Sequence, residues 1–296
     1  MYHPTILMIL RYLFGDRAES ILRIPQDGGD VTLAEEQEAE QVTDVPADIP
    51  LETAETAPAG DPRLPQGHVP FYRWFIDAGH GVFTDGKRGP LLGRIIHIIT
   101  KQWRLLEWEY NRDVAERIIE QLVALGLVWE RTMPADGQHG NALGERVRRA
   151  NNHPKDQYKP AFVSLHGNAG PSPDLETYAD DSVRGIETWY FYGSKVGRIM
   201  ARVFHAHLLK HTRRFVETTQ AKVPAASRHI VDRGLRSKKT GQFYVLRATR
   251  MPAVLIESGF MNSRFDVLLM VLPGYRQAVA DSVVDSICEI ESNKLL

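Results

Sequence analysis

From residue 71 to the C-terminus, short apolar segments alternate with segments of helical periodicity, and this alternation limits the chain to few folds. The predicted strands are Phe71–Asp77, Leu127–Arg131, Ala161–Leu165, Gly185–Tyr192, Phe243–Arg247 and Ala253–Ile256. The predicted helices are Glu107–Leu125, Asn141–Asn151, Ser194–His211 and Tyr275–Glu291. Strands separated by helices predict an α/β protein. We expect a single layered domain with a mixed, mostly parallel central sheet flanked by helices, plus an N-terminal extension.

The first 68 residues differ from the rest in composition. Residues 1–26 contain the apolar patch Ile6–Leu10, but no basic residue precedes it as a secretory signal requires, so we predict a short amphipathic segment. Residues 27–68 are rich in acidic residues, Pro and Ala, which predicts a flexible linker. Residues 69–296 form the predicted folded domain. No apolar run approaches the roughly 20 residues that a spanning helix needs, so no transmembrane segment is predicted.

Charge is divided unequally along the chain. Residues 1–68 carry 13 acidic and 4 basic side chains, and residues 69–296 carry 24 acidic and 32 basic ones. A basic body suits a polyanionic partner such as nucleic acid, an anionic membrane or an anionic cell wall. No nucleic-acid-binding motif is present, so we do not expect a nucleic-acid partner. The single cysteine, Cys288, excludes an intramolecular disulfide and a cysteine-based zinc finger.

Three motifs place a histidine or a glutamate directly after a predicted strand. They are Asp77–Gly81 with His80, Ser164–Ala169 with His166, and Leu255–Phe260 with Glu257. Strand ends are where α/β proteins present functional side chains. Two imidazoles and a carboxylate are the ligands of a catalytic zinc site, and a further carboxylate can move the proton of an attacking water. The motifs therefore indicate metal-assisted hydrolysis.

The order of these motifs resembles that of the zinc-dependent N-acetylmuramoyl-L-alanine amidases, the amidase-3 family of bacterial autolysins and phage endolysins. The family's opening Asp-x-Gly-His-Gly motif is Asp77–Gly81, and its Glu-x-x-x-Asn helix start is Glu107–Asn111. Its later motifs correspond to Leu143–Arg146, Ala150-Asn151, Ser164–Ala169, Gly185–Glu187, Arg233-Gly234 and Pro252–Phe260.

This resemblance implies one zinc ion per chain, with His80, Glu107 and His166 as its ligands. It also implies that Glu257 is the catalytic carboxylate. Glu109 is the alternative third ligand, since it lies two residues from Glu107. The Glu-x-x-x-Asn spacing of the family motif favours Glu107, which lies four residues before Asn111. Residues two apart do not share a helix face, so Glu107 and Glu109 are not expected to face the site together.

Three further residues are candidates for contact with substrate. We expect Arg131 and Arg146 to hold the fold through salt bridges, with substrate binding as the alternative for each. Asn168 is expected to brace the loop that carries His166, and it is also a candidate for substrate binding.

A second pair of histidines, His207 and His211, lies at i and i+4 on a predicted helix and could chelate a metal. No glutamate follows the first histidine, so the metalloprotease signature is absent, and the sequence offers no third ligand nearby. Because Lys210, Arg213 and Arg214 are neighbours, we interpret this segment as a solvated cationic face.

The resemblance implies a peptidoglycan hydrolase that cleaves the amide between N-acetylmuramic acid and L-alanine of the stem peptide. The alternative is a non-catalytic peptidoglycan-binding or regulatory module with the same fold; the presence of all four candidate groups favours the enzyme. Since no convincing signal peptide is found, we expect synthesis in the cytoplasm and action on the cell wall, as for a phage endolysin. An autolysin exported by another route is the alternative, and oligomeric state stays open.

Overall fold

The computed structural model describes residues 61–92, 104–219 and 225–296. The predicted segment 1–26 and most of the predicted linker lie outside these residues. In the described part, the strands are β1 (Tyr72–Ala78), β2 (Val128–Arg131), β3 (Lys159–Asn168), β4 (Ile186–Tyr190), β5 (Asp232–Arg236) and β6 (Ala253–Phe260). The helices are α1 (Glu107–Ala124), α2 (Leu143–Asn151), α3 (Lys195–Thr218), α4 (Tyr244–Ala248), α5 (Asp266–Met270) and α6 (Pro273–Asn293), with a 3-10 turn at Ala225–Ser227.

The six described strands form one sheet in the order β2-β1-β3-β6-β4-β5. β2, β1, β3 and β6 are parallel neighbours, β4 is antiparallel to β6, and β5 is parallel to β4. The prediction of an α/β domain with a mixed, mostly parallel sheet is confirmed. The carboxyl ends of β1, β3 and β6 therefore meet at one edge of the sheet, where α/β proteins place their sites.

Helices cover both faces of the sheet because successive strand residues point to opposite sides. On one face, the Trp74 ring lies 6.3 Å from Phe204 of α3, and its Nε1 donates to Glu291 of α6 at 2.9 Å. On the other face, Phe75 packs in a cluster that includes Val147 of α2 and Leu246 of α4. The domain is thus a sheet between two helical layers.

Two predictions of secondary structure need correction. Phe243–Arg247 was expected to be a strand, but Tyr244–Ala248 is helical. Its buried residues Val245 and Leu246 pack in the same cluster as Val147 of α2. A short apolar run does not by itself distinguish a strand from a buried helical turn. β5 was not predicted, since an edge strand of sequence DRGLR has almost no apolar alternation.

The folded unit also begins earlier than residue 69. Arg63 Nη1 donates to Gln121 of α1 at 2.8 Å, and the His68 ring lies 3.3 Å from Glu291 of α6. Residues 61–68 therefore pack against the domain, and the predicted linker ends too late. The predicted boundary was placed where apolar residues begin. Composition does not reveal the polar contacts that Arg63 and His68 make before that point. Among the described helices, none is long and apolar enough to cross a membrane.

A buried ion pair joins the sheet to α2 below the loop that follows β1. Asp77 accepts from Arg146 Nη1 at 2.7 Å, from Ser164 Oγ at 2.6 Å and from the Thr132 hydroxyl. Burial alone would raise the pKa of Asp77, but Arg146 and the two hydroxyls lower it below its ordinary value. Arg146 also donates to the carbonyl oxygens of Ala78 at 2.6 Å and His80 at 2.7 Å. Arg146 therefore fixes the course of this loop.

We predict that Arg146→Met lowers the free energy of unfolding by about 3–5 kcal/mol, because it leaves the Asp77 carboxylate buried without its cation. Urea denaturation followed by circular dichroism measures this. The control is Arg148→Met on the same helix, where the exposed arginine pairs with Glu145; it should change stability by less than about 0.5 kcal/mol. Equal effects of the two substitutions would contradict the structural role of Arg146.

Asp266 provides a pH-dependent prediction. Burial raises its pKa to about 6, although the amides of Gly185 at 2.7 Å and Phe260 at 3.0 Å both donate to its Oδ2 and act in the opposite sense. A carboxyl group with a raised pKa contributes most to stability when protonated, and this contribution is lost as the pH rises through about 6.

Asp266→Asn keeps an acceptor for both amides and cannot ionise. We therefore expect the variant to be more stable than the wild type at pH 8, by up to about 3 kcal/mol. The difference should decline between pH 6 and pH 4. Urea denaturation at several pH values tests this, and a difference that does not change with pH would contradict it.

Candidate metal centre

The loop after β1 carries His80 in a backbone conformation that is rare for a side-chain-bearing residue, with φ of 64°. Gly79 precedes it, and a Cβ atom there would lie 2.2 Å from Cε1 of His166, so only glycine allows the two segments to approach. The Asn111 side chain of α1 donates to the Gly79 carbonyl at 2.9 Å. These contacts and those from Arg146 hold His80 against β3.

His80, Glu107 and His166 converge at this point. Glu107 Oε1 lies 3.0 Å from Nδ1 of His166 and 3.2 Å from Nε2 of His80. The two imidazole rings are edge to face, with centroids 4.9 Å apart. One donor atom from each residue lies within 4.8 Å of the others, so the three form a group that could hold a metal ion.

The protonation states of the group suit a cation. Burial would raise the pKa of Glu107, but the two histidines beside it lower that pKa to about 2. Burial lowers the pKa of His80, which favours the neutral ring that binds metals. His80 Nδ1 and Glu107 Oε2 are buried, and neither has a hydrogen-bond partner in the described part of the chain. Unsatisfied buried polar atoms are costly, and a bound metal ion with its associated water would offer such atoms partners. The residues therefore fit a zinc-type centre.

The choice between Glu107 and Glu109 follows from helix geometry. Glu107 is 2% exposed and faces the two histidines, whereas Glu109 is exposed. Residues i and i+4 share a face, which is why Asn111 reaches Gly79 from the same side of α1.

Glu257 lies one strand further along the same edge of the sheet. It is the register partner of His166 on β3 and of Glu187 on β4. Both β3 and β6 extend past their predicted ends, so His166 and Glu257 are strand residues and do not follow the strands. Glu257 is 5% exposed, and its Oε2 has no hydrogen-bond partner within residues 61–92, 104–219 and 225–296. Burial, and then the charges of Glu107 and Glu187, raise its pKa well above the ordinary value.

Glu187 is a site residue that our candidate set did not include. Its Oε1 accepts from Asn168 Nδ2 at 2.8 Å and from Trp189 Nε1 at 2.9 Å, and its Oε2 accepts from Arg233 Nε at 3.0 Å. Glu187 thus stays ionically paired while Glu257 does not. The signal in the sequence was the Gly185–Glu187 motif, to which no role had been given. Asn168, at the end of β3, reaches across β6 to Glu187 of β4.

The two candidate arginines differ in accessibility. Arg146 is 1% exposed, and its bonds to Asp77 and the His80 loop leave no surface for substrate. Arg131 forms an ion pair with Glu116 of α1 and lies 5.2 Å from the ring centre of Trp129. It lines a cleft that includes His80 and Trp108. Of the two, only Arg131 stays available as a substrate contact.

A layered α/β domain that presents a buried His–Glu–His group beside a buried carboxylate has the side chains that metal-assisted hydrolysis needs. The comparison with known families is consistent with this chemistry. The chain belongs to the N-acetylmuramoyl-L-alanine amidase family, amidase-3, whose model matches residues 75–289. The resemblance noted from the order of the motifs is confirmed.

Relatives with curated sequences are distant. The chain is 29% identical over 211 residues to the N-acetylmuramoyl-L-alanine amidase LytC of Bacillus subtilis, covering 71% of this chain and 34% of LytC. It therefore spans about a third of the length of LytC. An uncharacterised protein of the same organism, YqiI, is 28% identical, with 72% of this chain and 82% of YqiI covered.

A solved structure shares the fold. The catalytic domain of CwlV, an N-acetylmuramoyl-L-alanine amidase from Bacillus (Paenibacillus) polymyxa, superposes with a TM-score of 0.54 at 24% identity. The match covers 74% of this chain and 97% of the CwlV domain.

We predict that Glu107→Gln weakens zinc binding at this centre by more than about 100-fold. Mutation of residues that only support metal ligands already lowers metal affinity by about 10–100-fold, and Glu107 is a direct ligand in this assignment. Equilibrium dialysis with zinc measures this. Glu109→Gln removes the same charge from the exposed side of the helix and should leave the affinity unchanged. A loss caused by Glu109→Gln and not by Glu107→Gln would reverse the assignment.

Proposed function

We propose that the protein is a zinc-dependent amidase that cleaves peptidoglycan between N-acetylmuramic acid and L-alanine of the stem peptide. One zinc ion per chain would be held by His80, Glu107 and His166. The observation that carries the proposal is the unpaired, buried Glu257 beside this group in a member of the family. LytC and CwlV, named above as amidases of this specificity, support the choice of substrate.

A zinc ion held by His80, Glu107 and His166 would supply Lewis acidity toward the scissile carbonyl and would lower the pKa of water. Glu257 accepts a proton from the attacking water as the new carbon–oxygen bond forms. It then donates that proton to the alanine nitrogen as the carbon–nitrogen bond breaks. Cleavage gives a lactyl carboxylic acid and the L-alanine amine of the stem peptide. Transfer of the acid's proton to that amine then gives a carboxylate and an ammonium group, so atoms and charge balance.

The environment of Glu257 suits both proton transfers. A carboxylate with a raised pKa takes up a proton more readily than an exposed one, and general acid–base catalysis is most efficient when the pKa lies near the working pH. The opposing influences are Lys87 and Lys238, whose charges lower the pKa of Glu257. Neighbouring carboxylates therefore raise the pKa of Glu257, and the two lysines lower it.

The cationic side chains near the site suit an anionic polymer. Arg233 lies 3.0 Å from Glu187, and Arg236 lies 3.8 Å from it with its side chain 46% exposed. The Lys238 ammonium lies 4.8 Å from the ring centre of Trp189. We propose that the partner is the peptidoglycan of the cell wall, reached either by lysis, as for an endolysin, or by export, as for an autolysin.

A non-catalytic wall-binding module is the second candidate and is not favoured by the site. Burying an unpaired carboxylate lowers the stability of the fold, and such groups are concentrated at functional sites. A binding module has no need of one.

We predict that Glu257→Gln lowers turnover by about 10²–10⁴-fold, the range expected for loss of a general acid–base group. The assay is mass spectrometry of purified peptidoglycan, scored for stem peptides with a new L-alanine amine. Wild-type activity should be lost with a chelator and restored by zinc.

The control for this variant is its zinc content. Glu257→Gln should bind zinc with at least the affinity of the wild type, because Glu257 is not a ligand in this proposal. If the variant retained full activity, Glu257 would not be the catalytic carboxylate. If the wild type released no stem peptides in the presence of zinc, the module interpretation would replace the enzyme.

A further inference from the structure

The histidines on α3 have carboxylate partners that the sequence did not reveal. His207 Nε2 lies 2.8 Å from Glu289 Oε2, and His211 Nε2 lies 2.8 Å from Asp285 Oδ2. Both carboxylates belong to α6. The interpretation of this segment as a solvated cationic face is therefore wrong for the two histidines, because each lies against an acidic side chain of the neighbouring helix.

We infer that His207, His211 and Asp285, with Glu289 as a fourth donor, form a second site for a divalent transition metal, represented by zinc. Donor atoms of the first three residues lie within 4.8 Å of one another. The site is separate from the candidate metal centre, since α3 packs on the face of β4 that carries Thr188, opposite Glu187. The inference does not rest on the proposed amidase function.

The backbone already provides the spacing that chelation needs. His207 and His211 are one helical turn apart on α3, as are Asp285 and Glu289 on α6, so each helix presents two donors on one face. Bonds of 2.0–2.1 Å in a tetrahedral site place neighbouring donors about 3.3 Å apart. The observed separations of up to 4.8 Å need side-chain adjustments of only about 1.5 Å.

The ligand types indicate which metal would bind. Two imidazoles with carboxylates favour Zn²⁺, Ni²⁺ or Cu²⁺ over Mg²⁺ and Ca²⁺, which prefer oxygen donors alone. The side chains of His207, His211 and Asp285 are between 16% and 22% exposed, so an ion can enter from solvent. The Arg63 guanidinium lies beside the Asp285 carboxylate, with Nη1 3.9 Å from Oδ1.

An ion-paired cluster without metal is the competing interpretation of these contacts. Two features favour the metal. Donor atoms of His207, His211 and Asp285 lie within 4.8 Å of one another, whereas separate pairs need no such convergence. In addition, Nδ1 of His207 is buried and has no hydrogen-bond partner among the residues that the structure describes, so the ring can turn toward an ion without losing a described bond at that atom.

A metal at this position would tie α3 to the helix that supports the candidate metal centre. Tyr275 of α6 donates its hydroxyl to the Ser258 carbonyl, next to Glu257, at 2.7 Å. Glu291 near the other end of α6 accepts from the Phe71 amide at 2.8 Å and from the Trp74 ring. The second site would therefore stabilise the helical layer on which β1 and β6 rest.

The test is zinc stoichiometry of the full chain after removal of metal, measured by equilibrium dialysis and elemental analysis. The wild type should bind two zinc ions and His211→Gln only one. Asp285→Asn keeps a hydrogen-bonding group opposite His211 but removes the anionic ligand, so zinc affinity of the second site should fall at least tenfold. His229→Gln, an exposed histidine elsewhere on the chain, is the matched control and should bind two.

Glu107→Gln separates this inference from the proposed function. That variant should still bind one zinc ion, and its melting temperature should rise on zinc addition. The rise should disappear in Glu107→Gln combined with His211→Gln. A His211→Gln variant that binds as many zinc ions as the wild type would overturn the second site, as would a wild type whose single zinc ion is lost in Glu107→Gln. Failure of Glu107→Gln to lose an ion would instead count against the first centre.

Discussion

The buried pair of Asp77 and Arg146 is the contact on which the arrangement of the candidate centre depends. Asp77 links β1 to Ser164 of β3 and to Thr132 after β2, and Arg146 connects this group to α2. The same guanidinium holds the carbonyl of His80, whose backbone lies in a disfavoured region. A strained ligand loop persists only where its surroundings fix it, and here one desolvated charge pair supplies that restraint.

Three buried glutamates at this edge of the sheet have different electrostatic roles. Glu107 lies between two histidines, and its pKa is lowered to about 2. Glu187 is bound by Asn168, Trp189 and Arg233. Glu257 forms no ion pair with a cationic side chain among the described residues, and burial, together with the charges of Glu107 and Glu187, raises its pKa. The carboxylate left unpaired is thus the one suited to moving a proton, while its paired neighbours hold their charge.

The two histidine clusters differ in what positions their donors. At the candidate metal centre, donors come from a loop, a helix and a strand, and the fold must bring three distant segments together. Between α3 and α6, two helices each supply donors one turn apart, so helix packing alone creates the cluster. The first arrangement is buried and orients its ligands tightly. The second is half-buried and suits a stabilising ion.

The sequence by itself determined the α/β class, because hydrophobic periodicity distinguishes long helices from buried strands. Through the resemblance of its motifs to the amidase-3 family, the sequence also indicated His80, Glu107, His166 and Glu257 as one group. Only the tertiary structure decided that Tyr244–Ala248 is a helix, that Glu187 is the register partner of Glu257, and that Arg146 is closed to substrate. It also decided the partner of His211, which lies 74 residues further along the chain. Local patterns determine which elements form, whereas register and helix packing depend on contacts between distant segments that no single stretch of sequence contains.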